Sequence, residues 1–258
     1  TGDWVLEVSL KHSGSLGHFD GEVMWGKNST DSEYTAAFKN QLFDCFRRAY
    51  PLGPEGTAAA AKKFGQFCKV LRSQNITVAF EAVCREILGD HGQLPRLNYL
   101  VVTAVVDKAE PFHSRFRDSR RLIEFCIEWG LPWNETFLFT SIESFQQYWD
   151  IYDGMSREGT ASEILSALDK AACTALACPV PHLDVQGEIL EGMVARMVPK
   201  FDVDGLVRDA KTTADALPLD RLTALSNELD DLWVQSSSDK EVFKVAAQQR
   251  VSMAFPEV

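Results

Sequence analysis

Hydrophobic positions recur along the chain with two periods, and the switches between them mark out the elements. From Trp4 to Lys11 the residues WVLEVSLK alternate. Leu6, Val8 and Leu10 share one face and Val5, Glu7, Ser9 and Lys11 the other, which predicts a strand ending at Lys11. Gly14, Gly17 and Gly21 punctuate a loop or hairpin before the short apolar run EVMW, and GKNSTDS follows as a turn. Phe38, Leu42, Phe43, Phe46 and Tyr50 then recur at helical spacing, predicting a helix over 32–50 capped by Asp31 or Ser32 and closed by Pro51. A second helix over 57–73, with Thr57 as its cap, carries Phe64, Phe67, Cys68 and Leu71.

The β-branched runs ITVAFEAV and YLVVTAVV predict two buried strands joined through the turn LGDHGQLP. Leu122, Ile123, Cys126 and Trp129 predict a helix over 119–129, and TFLFT a further strand. Helices over 141–153 and 160–176 follow, the second opened by a Thr160–Glu163 capping box and stopped by Pro179 and Pro181. VQGEILEGMVARMV returns to strand, and beyond Lys200 the chain is acidic and helical in pattern. The class is α+β: mainly antiparallel sheets with helices packed outside. Residues 1–200 form the core, and 201–258 an incomplete, acidic helical segment.

With 45% hydrophobic and 24% charged residues over 258 positions, the composition excludes disorder, collagen and coiled coil. No apolar run approaches the roughly 20 residues of a membrane span, and the first residues do not read as a signal peptide. The six cysteines lack C-x-x-C spacing, which favours reduced core thiols and a reducing compartment, nucleus or cytoplasm. A net charge of -11 disfavours holding a polyanion. The local exception is HSRFRDSRR from His113, where Arg115, Arg117, Arg120 and Arg121 face a single acid, Asp118. It reads either as a track for RNA phosphates or as a solvated loop opening a helix, whose arginines pair with local acids. Trp129, Trp133 and Trp149 can stack on bases, but their spacing among Leu and Ile favours core packing.

Three features carry candidate chemistry. Lys11 ends a strand, and Gly14 three residues later lets the backbone turn tightly beside it. A lysine so presented is either a surface residue or a nucleophile toward the α-phosphate of a nucleotide. At the unperturbed lysine pKa of about 10.4 only about one side chain in a thousand is neutral at pH 7, so a nucleophile needs help from burial or a neighbouring cation. Lys27, after the next strand, is placed in sequence to be that cation across a hairpin. Glu191 and Gly192 open a late apolar strand, either as an edge acid beside a bulge or as a metal-binding carboxylate with a glycine that admits a ligand to the backbone. Glu81, at the end of ITVAFEAV, either accepts hydrogen bonds from ribose hydroxyls or faces solvent.

Taken in chain order, Lys11 with Gly14, then Glu81, then Glu191 with Gly192 resemble motifs I, III and IV of the covalent nucleotidyltransferases: RNA ligases, DNA ligases and capping enzymes. The longer strings LEVSLKHSGSL, KNS, LGDHGQ before YLVVTAV, and above all VQGEILEGMVAR are similar to the ligase domain of plant-type tRNA ligase, from Trp4 to Val198. The resemblance implies that Lys11 takes AMP from ATP with Mg2+, that Gly14 shapes the adjoining loop, and that the backbone of His12 lies near the adenine. It implies Lys27 near the phosphates in the motif Ia region, Glu81 at the ribose, Glu191 acting on the metal and on lysine reactivity, Gly192 beside it, and Arg196 as a phosphate contact. The implied substrate is RNA, as tRNA exon halves. The family's companion kinase and cyclic phosphodiesterase domains would lie in a longer parent chain, since neither G-x-x-x-x-G-K-[ST] nor paired H-x-[ST] motifs occur here. The K-x-K of motif V is also missing, so the expectation is an excised part of a longer enzyme that lacks its preceding segment and motif V. The alternative is a non-catalytic RNA-binding or scaffold remnant of the same fold.

Overall fold

The computed structural model describes residues 4–51, 53–85, 87, 98–110, 113–155, 161–172, 174–178, 180, 192–216, 228, 231–232, 235 and 239–254. The fold is α+β with two antiparallel sheets, and no described helix is long and apolar enough to cross a membrane.

The strands are β1 (Trp4–Lys11), β2 (Ser15–Phe19), β3 (Met24–Trp25), β4 (Ile76–Val83), β5 (Tyr99–Glu110), β6 (His113–Phe116), β7 (Thr136–Phe139), β8 (Thr174–Leu176) and β9 (Gly192–Pro199). One sheet has the order β8-β7-β1-β9 and the other β3-β2-β4-β5-β6. The helices are α1 (Glu33–Arg47), α2 (Pro54–Ser73), α3 (Ser119–Trp129), α4 (Ile142–Met155), α5 (Ala161–Ala171), α6 (Val203–Ala216) and α7 (Lys240–Ala254).

Two apolar layers hold the sheets. Behind the five-stranded sheet, Phe38, Leu42 and Phe46 of α1 and Phe67 and Leu71 of α2 pack against Val78 and Phe80 of β4 and against α3. Behind the four-stranded sheet, Val8 and Leu10 of β1 and Phe137 and Phe139 of β7 meet Tyr148 of α4 and Ile164 and Leu168 of α5. The alternation read along β1 is thus realised: Val8 and Leu10 enter the second layer, and Lys11 is exposed at the strand's end. α6 packs on α3 and seats Leu206 in the larger core.

Helix starts follow side-chain chemistry. Ser32 caps α1 in a reciprocal box with Thr35. Asp118 caps α3 by accepting from the Arg121 backbone N–H at 2.9 Å. α2 begins earlier than predicted, at Pro54, because proline fits the first helical position, where the missing N–H costs nothing. Thr57 therefore lies inside the helix, and its hydroxyl donates to the Gly53 carbonyl at 2.9 Å.

Two further expectations need correction. The helix predicted over 160–176 ends at Ala171, and Thr174–Leu176 instead pairs with Thr136–Leu138 as β8. That pairing extends the sheet, and the Leu176 carbonyl accepts the indole N–H of buried Trp133 at 3.2 Å. The start of the basic segment is also not a loop, because His113–Phe116 forms the edge strand β6 against β5. The turn 88–95, the capping residue Thr160 and the residues before Gly192 lie outside the described residues. All five described cysteines are free thiols. Burial pushes the thiol of Cys45 up to about 11 and that of Cys178 up to about 12, which keeps both protonated and inert at neutral pH.

Candidate active site

After Lys11 the chain leaves the four-stranded sheet and within three residues enters the five-stranded one at Ser15. Gly14 makes that passage possible. A Cβ there would stand 2.7 Å from the Ala82 carbonyl oxygen and 2.9 Å from a Val83 methyl, so any side chain would push the turn off β4. Across the sheet, Lys11 pairs with Gly192 of β9, whose φ of +151° is one that L side chains rarely adopt.

The two sheets and the N-terminus of α3 enclose a cavity of about 610 Å³. Lys11, His12, Gly14, Glu81 and Arg196 all lie on its wall, brought together from β1, the crossing turn, β4 and β9. Leu16, Phe116 and Val194 add exposed apolar surface to the same wall. Glu81 sits between Leu16 of β2 and Val101 of β5 in register, and is half-buried. A cation at one place, an acid at another and apolar side chains between them suit a ligand with a flat ring, hydroxyls and phosphates.

Lys27 lies in an exposed bend beyond β3 and is not on this wall. Glu191 lies outside the described residues. The arginines of the basic segment face elsewhere. Arg117 grips Asp107 through Nη2 to Oδ1 at 2.8 Å and through Nε, shared between Oδ2 at 3.1 Å and Oδ1 at 3.3 Å, and its guanidinium lies 5.2 Å from the Phe125 ring centroid. Arg120 pairs with Glu124 at 2.8 Å and Arg121 with Asp118 at 3.8 Å, while Arg115 is exposed on β6 opposite Asp107. Trp133 is fully buried and Trp129 nearly so, whereas Trp149 is half exposed.

Several wall and near-wall residues were not singled out by sequence. Asn134 and Ser119 line the cavity, and Tyr99 is buried beside His12. Glu7 is 3% exposed, accepts the Ser119 hydroxyl, and lies directly across from Arg196. Its other oxygen finds no hydrogen-bond partner among the described residues. The signal for Glu7 was a charged residue in an otherwise apolar strand, on the same face as Lys11. Asn134, Ser119 and Tyr99 left no such signal.

Burial pushes the Glu7 carboxyl above its ordinary value of 4.5, against the downward pulls of Ser119 and Arg196, with Asp118 adding to the rise. The folded state therefore binds the proton more tightly than the unfolded chain does. This contribution to stability falls as pH rises from the unfolded value through the raised folded one. Glu7→Gln keeps an acceptor for Ser119 and removes the charge. It should melt higher than the parent at pH 7, with the difference closing near pH 4. An equal loss at both pH values would show that the ionised carboxylate is not the costly form.

No family model matches the chain. Over 212 residues, 80% of its length, the chain is 38% identical to tRNA ligase 1 of Arabidopsis thaliana, and the match takes in 18% of that protein. The strings LEVSLKHSGSL around Lys11 and VQGEILEGMVAR around Glu191 had pointed the same way. Across most of its length the chain is a relative of the plant-type tRNA ligases.

Proposed function

We propose that this chain is the adenylyltransferase core of an RNA ligase, with Lys11 as the nucleophile. The observation that carries the reading is the convergence of Lys11, His12, Gly14, Glu81 and Arg196 on one cavity between the sheets. The nitrogen lone pair of Lys11 attacks the α-phosphorus of ATP and an N–P bond forms. The bond from that phosphorus to the bridging oxygen breaks, pyrophosphate leaves with the electron pair, and the amine proton passes to solvent. AMP then moves to an RNA 5′-phosphate, and the hydroxyl of the other RNA end displaces it. In this reading Arg196 stabilises phosphate charge, Glu81 accepts from the ribose hydroxyls, and the apolar wall at Leu16, Phe116 and Val194 holds the base.

The wall also fits magnesium, which is commonly held by one or two carboxylates together with substrate phosphates. Glu191 is proposed as that carboxylate, with the substrate phosphates completing the set, and Glu81 on the wall is left to the ribose. When bound, the ion supplies charge neutralisation at the phosphates. The proposed RNA is a pair of tRNA halves, and companion end-processing domains would belong to the rest of a longer protein.

The test is intact-mass spectrometry of the whole protein after incubation with ATP and magnesium, followed by peptide mapping. A gain of one AMP on the peptide containing Lys11 is expected, lost in acid as a phosphoramide would be. AMP on another peptide, or none, would overturn the reading. Complete absence would favour an RNA-binding remnant.

A further inference from the structure

We infer that His12, Asn134 and Tyr99 form a hydrogen-bonded bracket that fixes the backbone on both sides of Lys11, which makes His12 and Asn134 positioning residues for the nucleophile. The inference rests on the ligase reading and goes beyond it, because it assigns the His12 side chain, not its backbone, the decisive part. The directions of the bonds follow from chemistry. The Leu10 carbonyl can only accept, so the Asn134 atom 2.5 Å from it is the amide nitrogen Nδ2. The Asn134 carbonyl oxygen Oδ1 then faces His12 Nε2 at 3.1 Å, and since that oxygen can only accept, Nε2 carries the proton. His12 Nδ1 is left as the acceptor, and the Tyr99 hydroxyl donates to it at 3.0 Å.

The three bonds run from Tyr99 to His12, from His12 to Asn134, and from Asn134 to Leu10. Leu10 and His12 are the immediate neighbours of Lys11, so Asn134 ties together the residues on either side of it. The supports are themselves rigid. Tyr99 is fully buried at the start of β5, and its ring meets that of His12 edge to face at 5.5 Å. Asn134 follows Trp133, which is fully buried, and the preceding Pro132 carbonyl accepts from the Val102 backbone N–H at 2.9 Å. A lysine on a long flexible stem gains reaction rate when its base is fixed, because small misplacements of a reacting group cost large factors. The ring nitrogens of His12 are both spent on Tyr99 and Asn134, neither of them a reacting group, so its contribution is to placement.

Asn134→Asp is the discriminating variant. An aspartate still accepts from His12 but cannot donate to Leu10, and so it opens the bracket at one bond. In the whole protein the AMP-transfer rate at saturating ATP should fall about tenfold or more. Tyr99→Phe, which removes one hydroxyl, should lower the same rate by about threefold and serves if the aspartate variant fails to fold. A raised KM with an unchanged rate, or no change in either, would overturn the bracket. Hydrogen–deuterium exchange without ATP gives a second readout: the peptide spanning residues 4–16 should exchange faster in Asn134→Asp. If the parent protein takes up no AMP, the ligase reading fails, and exchange alone decides the bracket. Unchanged exchange would then overturn it.

Discussion

Lys11→Ala should leave no AMP on the protein, a loss of at least about 10⁴-fold in transfer rate, without a measurable change in folding. The size of the loss follows from the lack of a substitute on the described wall. Arg196 presents a guanidinium, which donates hydrogen bonds but has no nucleophilic lone pair, and both ring nitrogens of His12 are occupied by Tyr99 and Asn134. Stability should be untouched because Lys11 is exposed at the end of β1, where a substitution shifts stability by about 0.5 kcal/mol or less. Intact mass after incubation with ATP and magnesium reads the first effect, and a thermal melt reads the second. AMP still attached to the alanine variant would move the nucleophile to another residue. A collapsed melting temperature would mean that Lys11 holds the turn and is not merely displayed on it.

Trp133→Ala should have the largest effect on stability, about 3–5 kcal/mol. The side chain is fully buried, its indole N–H donates to the Leu176 carbonyl of β8, and its backbone N–H donates to the Cys178 sulfur at 3.4 Å. Its backbone also forms a bridge to Val102 of β5, so one residue joins the edge strand of one sheet to an inner strand of the other. Truncation leaves a large void and an orphaned carbonyl, and the loss approaches the whole stability of an ordinary domain, about 5–15 kcal/mol. Urea unfolding monitored by circular dichroism would measure it. Asn134 stands next in the chain, so the surviving folded fraction should also transfer AMP more slowly. A change below about 1 kcal/mol would mean that the two sheets are held together elsewhere.

What could be read from the sequence were the features with a local period or a local cap. The helix over 119–129 came out with its observed ends because Asp118 caps it and Gly130 follows it. β1 was legible because its apolar residues alternate, and that placed Lys11 at a strand end. β8 was not, since three residues carry too little pattern to be told from the tail of the helix before them, and only pairing with β7 decides their state. β6 was hidden for another reason: an edge strand bearing Arg115 and an exposed Phe116 has no buried face to alternate with. Lys11, Glu81 and Arg196 could be named one at a time, and their sharing of one wall is a product of sheet topology. The partners of His12 lie 87 and 122 residues away in the chain, and nothing local in the sequence marks them.

The pairing of β1 sets an order of events during synthesis. The strands of the five-stranded sheet all fall between Ser15 and Phe116, and most of their neighbours are near in sequence. β1 emerges before any of them, yet its partners are β7 and β9, and Lys11 meets Gly192 only after nearly the whole core has been made. At about 5–20 residues per second that delay is on the order of ten seconds or more. Until β7 is made, Val5, Val8 and Leu10 stand on an unpaired apolar strand, a natural target for chaperones, and until β9 follows one edge of β1 stays open. A nascent chain stalled before β9 would carry Lys11 without the strand that pairs with it and without Arg196 on the cavity wall.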